Sequence, residues 1–354
     1  MFCNVLYSII KLGVLKYITF RAICAFLCAF VIALCFGKKI INILQQYQKN
    51  GQPIRSDGPE AHLQNKKGTP TMGGIIILFS LMASILFWGD MSNAYTISCV
   101  AMTLCFGLIG AIDDFLKIFE NDSKGLTGKK KLFLQIAISS ICLYLCDLES
   151  TIVYFPVFKN FQIDFGYIFV LWAVFVIVGS SNAVNLTDGL DGLAMGPVIM
   201  SSICLAIISY LVGNSVFAHY LHMEYIPGMS EVSVYLSALI GASLGFMWFN
   251  APPAKIFMGD TGSIAIGGLL GFVSVITKHE ILFAIIGGLF VVEAVSVILQ
   301  VLYFRFTHGK RIFLMAPIHH HFEKKGWAES TIVFRFWILS IVLGIVGLAL
   351  LKIR

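Results

Sequence analysis

Long apolar runs alternate with short polar segments along the whole of this chain. Ten runs stand out, at 19–43, 73–89, 94–112, 131–147, 165–181, 194–213, 232–249, 262–277, 281–304 and 331–351. A helix needs about 20 apolar residues to cross a bilayer, fewer where the bilayer thins around it. The pattern predicts an all-α, polytopic integral membrane protein of about ten transmembrane helices, forming a single catalytic domain. One outer segment, "TIVYFPVFKNFQIDFG" (151–166), alternates β-branched and aromatic residues around Lys159 and Asn160, which predicts a short β-hairpin. The first eighteen residues read as a retained lead-in to the first span, since no small-residue cleavage site follows a short apolar core.

Composition supports many spans over one large soluble core. The chain is 58% hydrophobic and 12% charged, with a mean hydropathy of +0.87, against about 25% charged in an ordinary soluble domain. The nine cysteines lie almost entirely inside the apolar runs, with no CxxC and none near a histidine cluster. They read as small hydrophobes.

The net charge of +6 is a matter of topology, not of nucleic acid. Of the 25 Lys and Arg, 17 fall in loops on the side opposite the termini and 7 on the side of the termini, with Arg335 at the start of the last span. Basic residues gather on the cytoplasmic side. The bias therefore places both termini outside.

That count ignores the carboxylates, so their placement tests it. Five polar clusters occur, at 65–74, 113–114, 182–192, 249–263 and 316–327, and all fall in loops assigned to the inside. The outer loops carry no comparable cluster. Polar segments converging on one membrane face describe a cytoplasmic active site.

Asp113 and Asp114 are adjacent acids at a span end, costly by desolvation and mutual repulsion and hence functional candidates. Neighbours on a helix point about 100° apart, so the pair is not expected to clamp one ion together. In "NLTDGLDG", Asp188 and Asp191 stand three apart among Gly189 and Gly192, which predicts a loop or broken helix end. In "MGDTGS", Gly259, Thr261, Gly262 and Ser263 surround Asp260 before a span, a pattern suited to cradling phosphate, although the G-K-[ST] of a Walker A loop is absent. His319, His320 and His321 are too close in sequence to ligate one zinc together; phosphate contact, acid–base work or interfacial polarity suits them better. Lys66, Lys67, Lys117 and Lys129 offer positive charge to a polyanion, or serve only as inside-facing lysines. Glu293, deep in the ninth run, marks a proton or ion path or is paired across helices.

Aspartates from three loops suit a hard cation such as Mg²⁺, and Mg²⁺ with lysines and glycine-rich turns suits phosphate. The residues thus point to Mg²⁺-dependent transfer involving a phosphorylated lipid. A cation or nucleotide-sugar transporter is the alternative. It requires a polar path through the bilayer and a matching outer cluster, neither of which occurs apart from Glu293.

"KKGTPTMGG", "GAIDDFLK", "NAVNLTDGLDGLA", "FNAPPAKIFMGDTGS" and "MAPIHHHFEKKGW" occur in this order. Together they resemble the phospho-N-acetylmuramoyl-pentapeptide transferases, within the polyprenyl-phosphate N-acetylhexosamine-1-phosphate transferases. The similarity spans roughly residues 19 to 351, and His319 to Glu323 resembles the muramoyl-pentapeptide branch specifically. The resemblance implies transfer of a phospho-sugar from UDP-N-acetylmuramoyl-pentapeptide to undecaprenyl phosphate with loss of UMP, in the bacterial inner membrane and as a homodimer. It implies Asp260 as the Mg²⁺ ligand. Asp113 becomes the base acting on the lipid phosphate or a nucleophile in a two-step route, with Asp114 supporting it through metal or lysine contacts. It sets Lys66, Thr71, Asn185, Asp191, Asn250 and Phe257 around the nucleotide, and Asp188, Lys117 and Lys129 among the polar site positions. Gln300 falls at the pocket edge, with His319 and His320 on the sugar-phosphate side. A sister transferase using UDP-N-acetylglucosamine is the nearest alternative.

Overall fold

The structure is a computed structural model that describes residues 11, 13–48, 68–120, 125–146, 150–156, 158 and 161–352. Its helices are α1 (Ile18–Tyr47), α2 (Gly74–Trp88), α3 (Ala94–Glu120), α4 (Gly128–Leu145), α5 (Phe169–Thr187), α6 (Met195–Val212), α7 (Ser215–Tyr220), α8 (Ser230–Asn250), α9 (Gly259–Ile276), α10 (Glu280–Ile286), α11 (Gly288–Phe306), α12 (Ile318–Lys324) and α13 (Glu329–Leu350). Eight helical segments among the described residues are long and apolar enough to cross a membrane; α2 is apolar but shorter. Three lysines open α4, which keeps it outside that group. A two-stranded antiparallel ribbon, β1 (Ile152–Tyr154) with β2 (Gln162–Asp164), pairs Val153 with Ile163.

Helix α9 is the axis of the bundle. Every residue from Thr261 to Ile276 is buried, as expected of a helix that is apolar all round. Apolar side chains gain little by leaving lipid for protein, so close packing and polar contacts must hold such helices together. Gly267 and Gly271 supply the close packing: a Cβ at either would lie 2.8–2.9 Å from α5. The polar contacts form a ladder. Ser180 donates to Gly267 O at 2.7 Å and Ser181 to Ile264 O at 3.0 Å. Gln135 of α4 donates to Ser181 at 3.2 Å and accepts from Asn182 at 3.0 Å. On the other flank, Ala25, Ala29 and Ala33 line one face of α1, and Gly241 and Gly245 of α8 receive that face.

Several boundaries differ from the hydropathy reading, each in a way that builds the site. Helix α3 continues past 112 to Glu120, so Asp113, Asp114 and Lys117 are helical. Helix α5 runs to Thr187, so Asn185 is helical and the break spans 188–194. Helix α9 starts at Gly259, which puts Asp260 in its first turn. The ninth apolar run is not one helix. It divides into α10 and α11 at Gly287, where two successive glycines remove the side chains that would stiffen the backbone.

Candidate active site

The helix ends that follow from this alternation meet at one end of the bundle. The C-terminal turns of α3 and α5 and the N-terminal turns of α4 and α9 are joined there by side-chain bonds. Glycine permits the closest approach. A Cβ on Gly110, one turn before Asp113, would lie 2.1 Å from the Asp260 carbonyl oxygen. Helix α3 therefore lies directly against the start of α9.

That contact gives Asp114 its task. Helix α9 has Met258 at its N-cap and no side-chain cap of its own. The carboxylate of Asp114 takes that place from α3. It accepts from Asp260 N at 3.1 Å, Thr261 N at 2.9 Å and the Thr261 hydroxyl at 2.7 Å. A carboxylate at a helix N-terminus satisfies orphaned N–H groups and meets the positive end of the helix dipole. Asp114 thus holds the helix start, and at "GDTG" the Asp260 and Thr261 N–H groups are taken by the protein itself.

Asp113 and Asp260 face the same two lysines. Lys117 Nζ lies 2.5 Å from Asp113 Oδ2 and 3.1 Å from Asp260 Oδ2. Lys131 Nζ lies 2.6 Å from Asp260 Oδ2 and 3.9 Å from Asp113 Oδ2. Asp113 Oδ1 accepts from Leu126 N at 2.8 Å. Asn185 holds the other oxygen of Asp260 at 2.8 Å and donates to Ser263 at the same distance. One carboxylate oxygen from each of Asp113, Asp114 and Asp260 falls in a group within 4.8 Å of one another. The two sequence neighbours thus share a centre after all, because Asp260 enters between them. In their ionised forms three carboxylates meet two ammonium groups and leave an excess of negative charge. The donors are hard oxygens, which suits a divalent cation. All three carboxylates could hold one, and each is also bonded to protein donors.

Lys131 is absent from the sequence-derived site and Lys129 is present in it; in the structure Lys131 is the one bonded to the carboxylates. Lys129 is exposed, and Lys131, two positions on and on the other side of α4, reaches the carboxylates. Three consecutive lysines at the start of a helix were a signal, but not of which one faces the bundle.

The remaining loops are stitched to this centre. Thr71 pairs with Gln48 through its N–H at 2.9 Å and its carbonyl at 3.2 Å. Its hydroxyl is buried without a hydrogen-bond partner, beside Gly259. Phe257 N–H donates to Pro70 O at 2.9 Å. Asn250 accepts from Gly192 N at 3.1 Å and donates to Ile256 O at 2.9 Å. Asp191 accepts from Ala254 N at 2.9 Å, and its own N–H donates to Glu329 at 2.8 Å. Asn250 and Asp191 therefore tie the 188–192 turn, which Asp188 opens as the C-cap of α5, to the 250–256 loop. Gln300 accepts from Phe313 N at 2.9 Å, tying α11 to the loop before α12. Lys66 lies outside the described residues.

The three histidines go three ways. His319 turns inward to Glu293, at 3.1 Å, so Glu293 is paired across helices. His320 pairs with Glu323 at 2.5 Å within α12. His321 accepts from Leu314 N at 3.1 Å; burial and the nearby Lys325 hold its imidazole below the usual range.

Comparison with known proteins adds a further finding. The pattern of glycosyl transferase family 4 matches residues 96–278. Signature 1 of phospho-N-acetylmuramoyl-pentapeptide-transferase matches residues 66–78. The phospho-N-acetylmuramoyl-pentapeptide-transferase of Pelagibacter ubique (strain HTCC1062) is 55% identical over 348 residues, covering 97% of this chain and 96% of that protein. That of Rickettsia akari (strain Hartford) is 54% identical over 342 residues, covering 96% and 94%.

Proposed function

Since this chain belongs to the phospho-N-acetylmuramoyl-pentapeptide transferase family, we propose the following reaction for the site just described. An oxygen of undecaprenyl phosphate bonds to the sugar-bearing phosphorus of UDP-N-acetylmuramoyl-pentapeptide. The bond between the two phosphates of the donor breaks, and UMP leaves. The product is the first lipid intermediate of peptidoglycan. The chain is a multi-pass membrane transferase. We place it in the bacterial inner membrane as a homodimer, with both termini periplasmic and the site cytoplasmic.

The observation that carries this reading is Asp260, held by Asn185 and two lysines opposite Asp113, at the start of a helix capped by Asp114. Phosphoryl transfer asks little of a protein beyond positioning and charge neutralisation, and this arrangement supplies both. Asp260, in the carboxylate group it forms with Asp113 and Asp114, is the residue that would hold Mg²⁺, which when bound supplies positive charge to the diphosphate. Lys117 and Lys131 add fixed positive charge beside it. Asp113 acts as base toward the lipid phosphate. The 70–74, 188–192 and 250–257 segments border the nucleotide.

The test is UMP release by the purified protein with undecaprenyl phosphate, with UDP-N-acetylmuramoyl-pentapeptide and UDP-N-acetylglucosamine supplied side by side. Release is expected with the first donor only, lost on chelation of divalent cations and restored by Mg²⁺. Asp260→Asn is expected to insert and purify normally yet release no UMP. Turnover of the acetylglucosamine donor, wild-type rates in Asp260→Asn, or donor flux into liposomes without UMP would each overturn the reading.

A further inference from the structure

Glu293 and His319 form a second buried polar group, separate from the carboxylate cluster and unused by the reaction as described. Both are fully buried, and His319 Nδ1 lies 3.1 Å from Glu293 Oε1. A bond in which the ring donates to a carboxylate oxygen puts the ring proton on Nδ1. The other nitrogen, Nε2, is buried and has no hydrogen-bond partner. Leaving a buried polar atom unpaired is costly, and such atoms in native proteins call for a functional reason.

The direction of Nε2 supplies one. It points at Gly189: a Cβ there would lie 2.3 Å from Nε2 and 2.9 Å from Cε1. Gly189 begins the turn that Asn250 and Asp191 pin to the 250–256 loop, just after the helix carrying Asn185. Its φ is not positive, so the backbone does not demand glycine here; the imidazole does. Leu190, Leu193, Leu289 and Phe336, from the same turn and from α11 and α13, form a separate apolar cluster. Neighbouring histidines do not share this arrangement. His320 is held by its own helix and His321 by a loop N–H.

We propose that Glu293 is a positioning residue for His319, fixing the imidazole with its proton on Nδ1 so that Nε2 is held against Gly189 and the ring sets the 188–192 turn beside the site. This rests on the transferase reading for the reaction that the turn serves, though not for the geometry.

Full-length protein in lipid nanodiscs provides the test. Glu293→Gln, which no longer specifies the tautomer, is expected to lower kcat by about 10–100-fold, on the scale seen when a metal-bound histidine loses its orienting carboxylate, with KM for the donor unchanged. Glu293→Asp should recover part of the loss. Glu293→Gln combined with His319→Ala should be no slower than His319→Ala alone, because the two act as one unit. Two readouts need no turnover. Nitrogen NMR of ¹⁵N-histidine-labelled protein should show the His319 ring protonated on Nδ1 in the wild type, and lose that uniform state in Glu293→Gln. Gly189→Ala should lower the melting temperature in the wild type but not in the His319→Ala background. Wild-type kcat in Glu293→Gln, additive losses in the double variant, or an equal Gly189→Ala penalty in both backgrounds would overturn the proposal. A wild type that releases no UMP would instead sink the transferase reading, and the NMR and melting results would still decide the geometry.

Discussion

Asp113 and Asp114 are chemically identical neighbours with different work, and their partners say which is which. Asp114 spends its oxygens on the first N–H groups of α9 and the Thr261 hydroxyl, whereas Asp113 faces Lys117 and the Leu126 N–H. Asp113→Asn is therefore expected to stop UMP release with little change in melting temperature. Asp114→Ala should lower both, since replacing a capping side chain by Ala costs about 0.5–2 kcal/mol; equal melting temperatures for the two variants would contradict the assignment. A second contrast lies on α4. Lys131→Met should slow turnover far more than Lys129→Met, because only Lys131 reaches the carboxylates. Steady-state rates of the two purified variants decide it. At this scale the sequence made the acids visible, but not their partners. Which of two adjacent residues faces a neighbour depends on helix rotation, about 100° per residue, and no local pattern reports that.

At the scale of elements, the site depends on how closely α3 meets α9. Gly110 sets that distance, since any side chain there would strike the Asp260 carbonyl. Gly110→Ala is expected to destabilise the bundle by about 1–3 kcal/mol, as overpacking does, and to lower UMP release by moving Asp260 away from Asp113. Thermal unfolding and turnover measured on the same preparation would check this; an unaltered protein would show that the helices have room to shift. Helix positions were largely legible, because apolar runs must be helical where no water satisfies the backbone. Their ends were not. Helices α3 and α5 carry on beyond the apolar run into the polar segment, since a helix stops where its hydrogen bonds stop and not where hydrophobicity does. The division of the ninth run at Gly287 was equally hidden, as α10 and α11 are both apolar.

For the whole molecule, successive helices reverse direction, so that segments far apart in the chain converge at one end. Lys310 follows α11 toward that end, while Tyr167 precedes α5 at the other; both are exposed. In a cysteine-free background, Tyr167→Cys is expected to react with an impermeant thiol reagent added to intact spheroplasts. Lys310→Cys should react only after lysis. Labelling of both from outside would refute the topology derived from the basic residues.

What the sequence determined alone is the all-α membrane architecture and the grouping of its chemistry in five polar segments. Hydropathy and composition are local quantities that add up along a chain, and ordered motifs preserve them. What only the tertiary structure decided is who touches whom: Asp114 as the cap of another helix, Lys131 against the carboxylates, Glu293 behind His319. Those contacts arise from helix rotation and from close approach at glycines, properties of pairs of elements that neither member of a pair carries by itself.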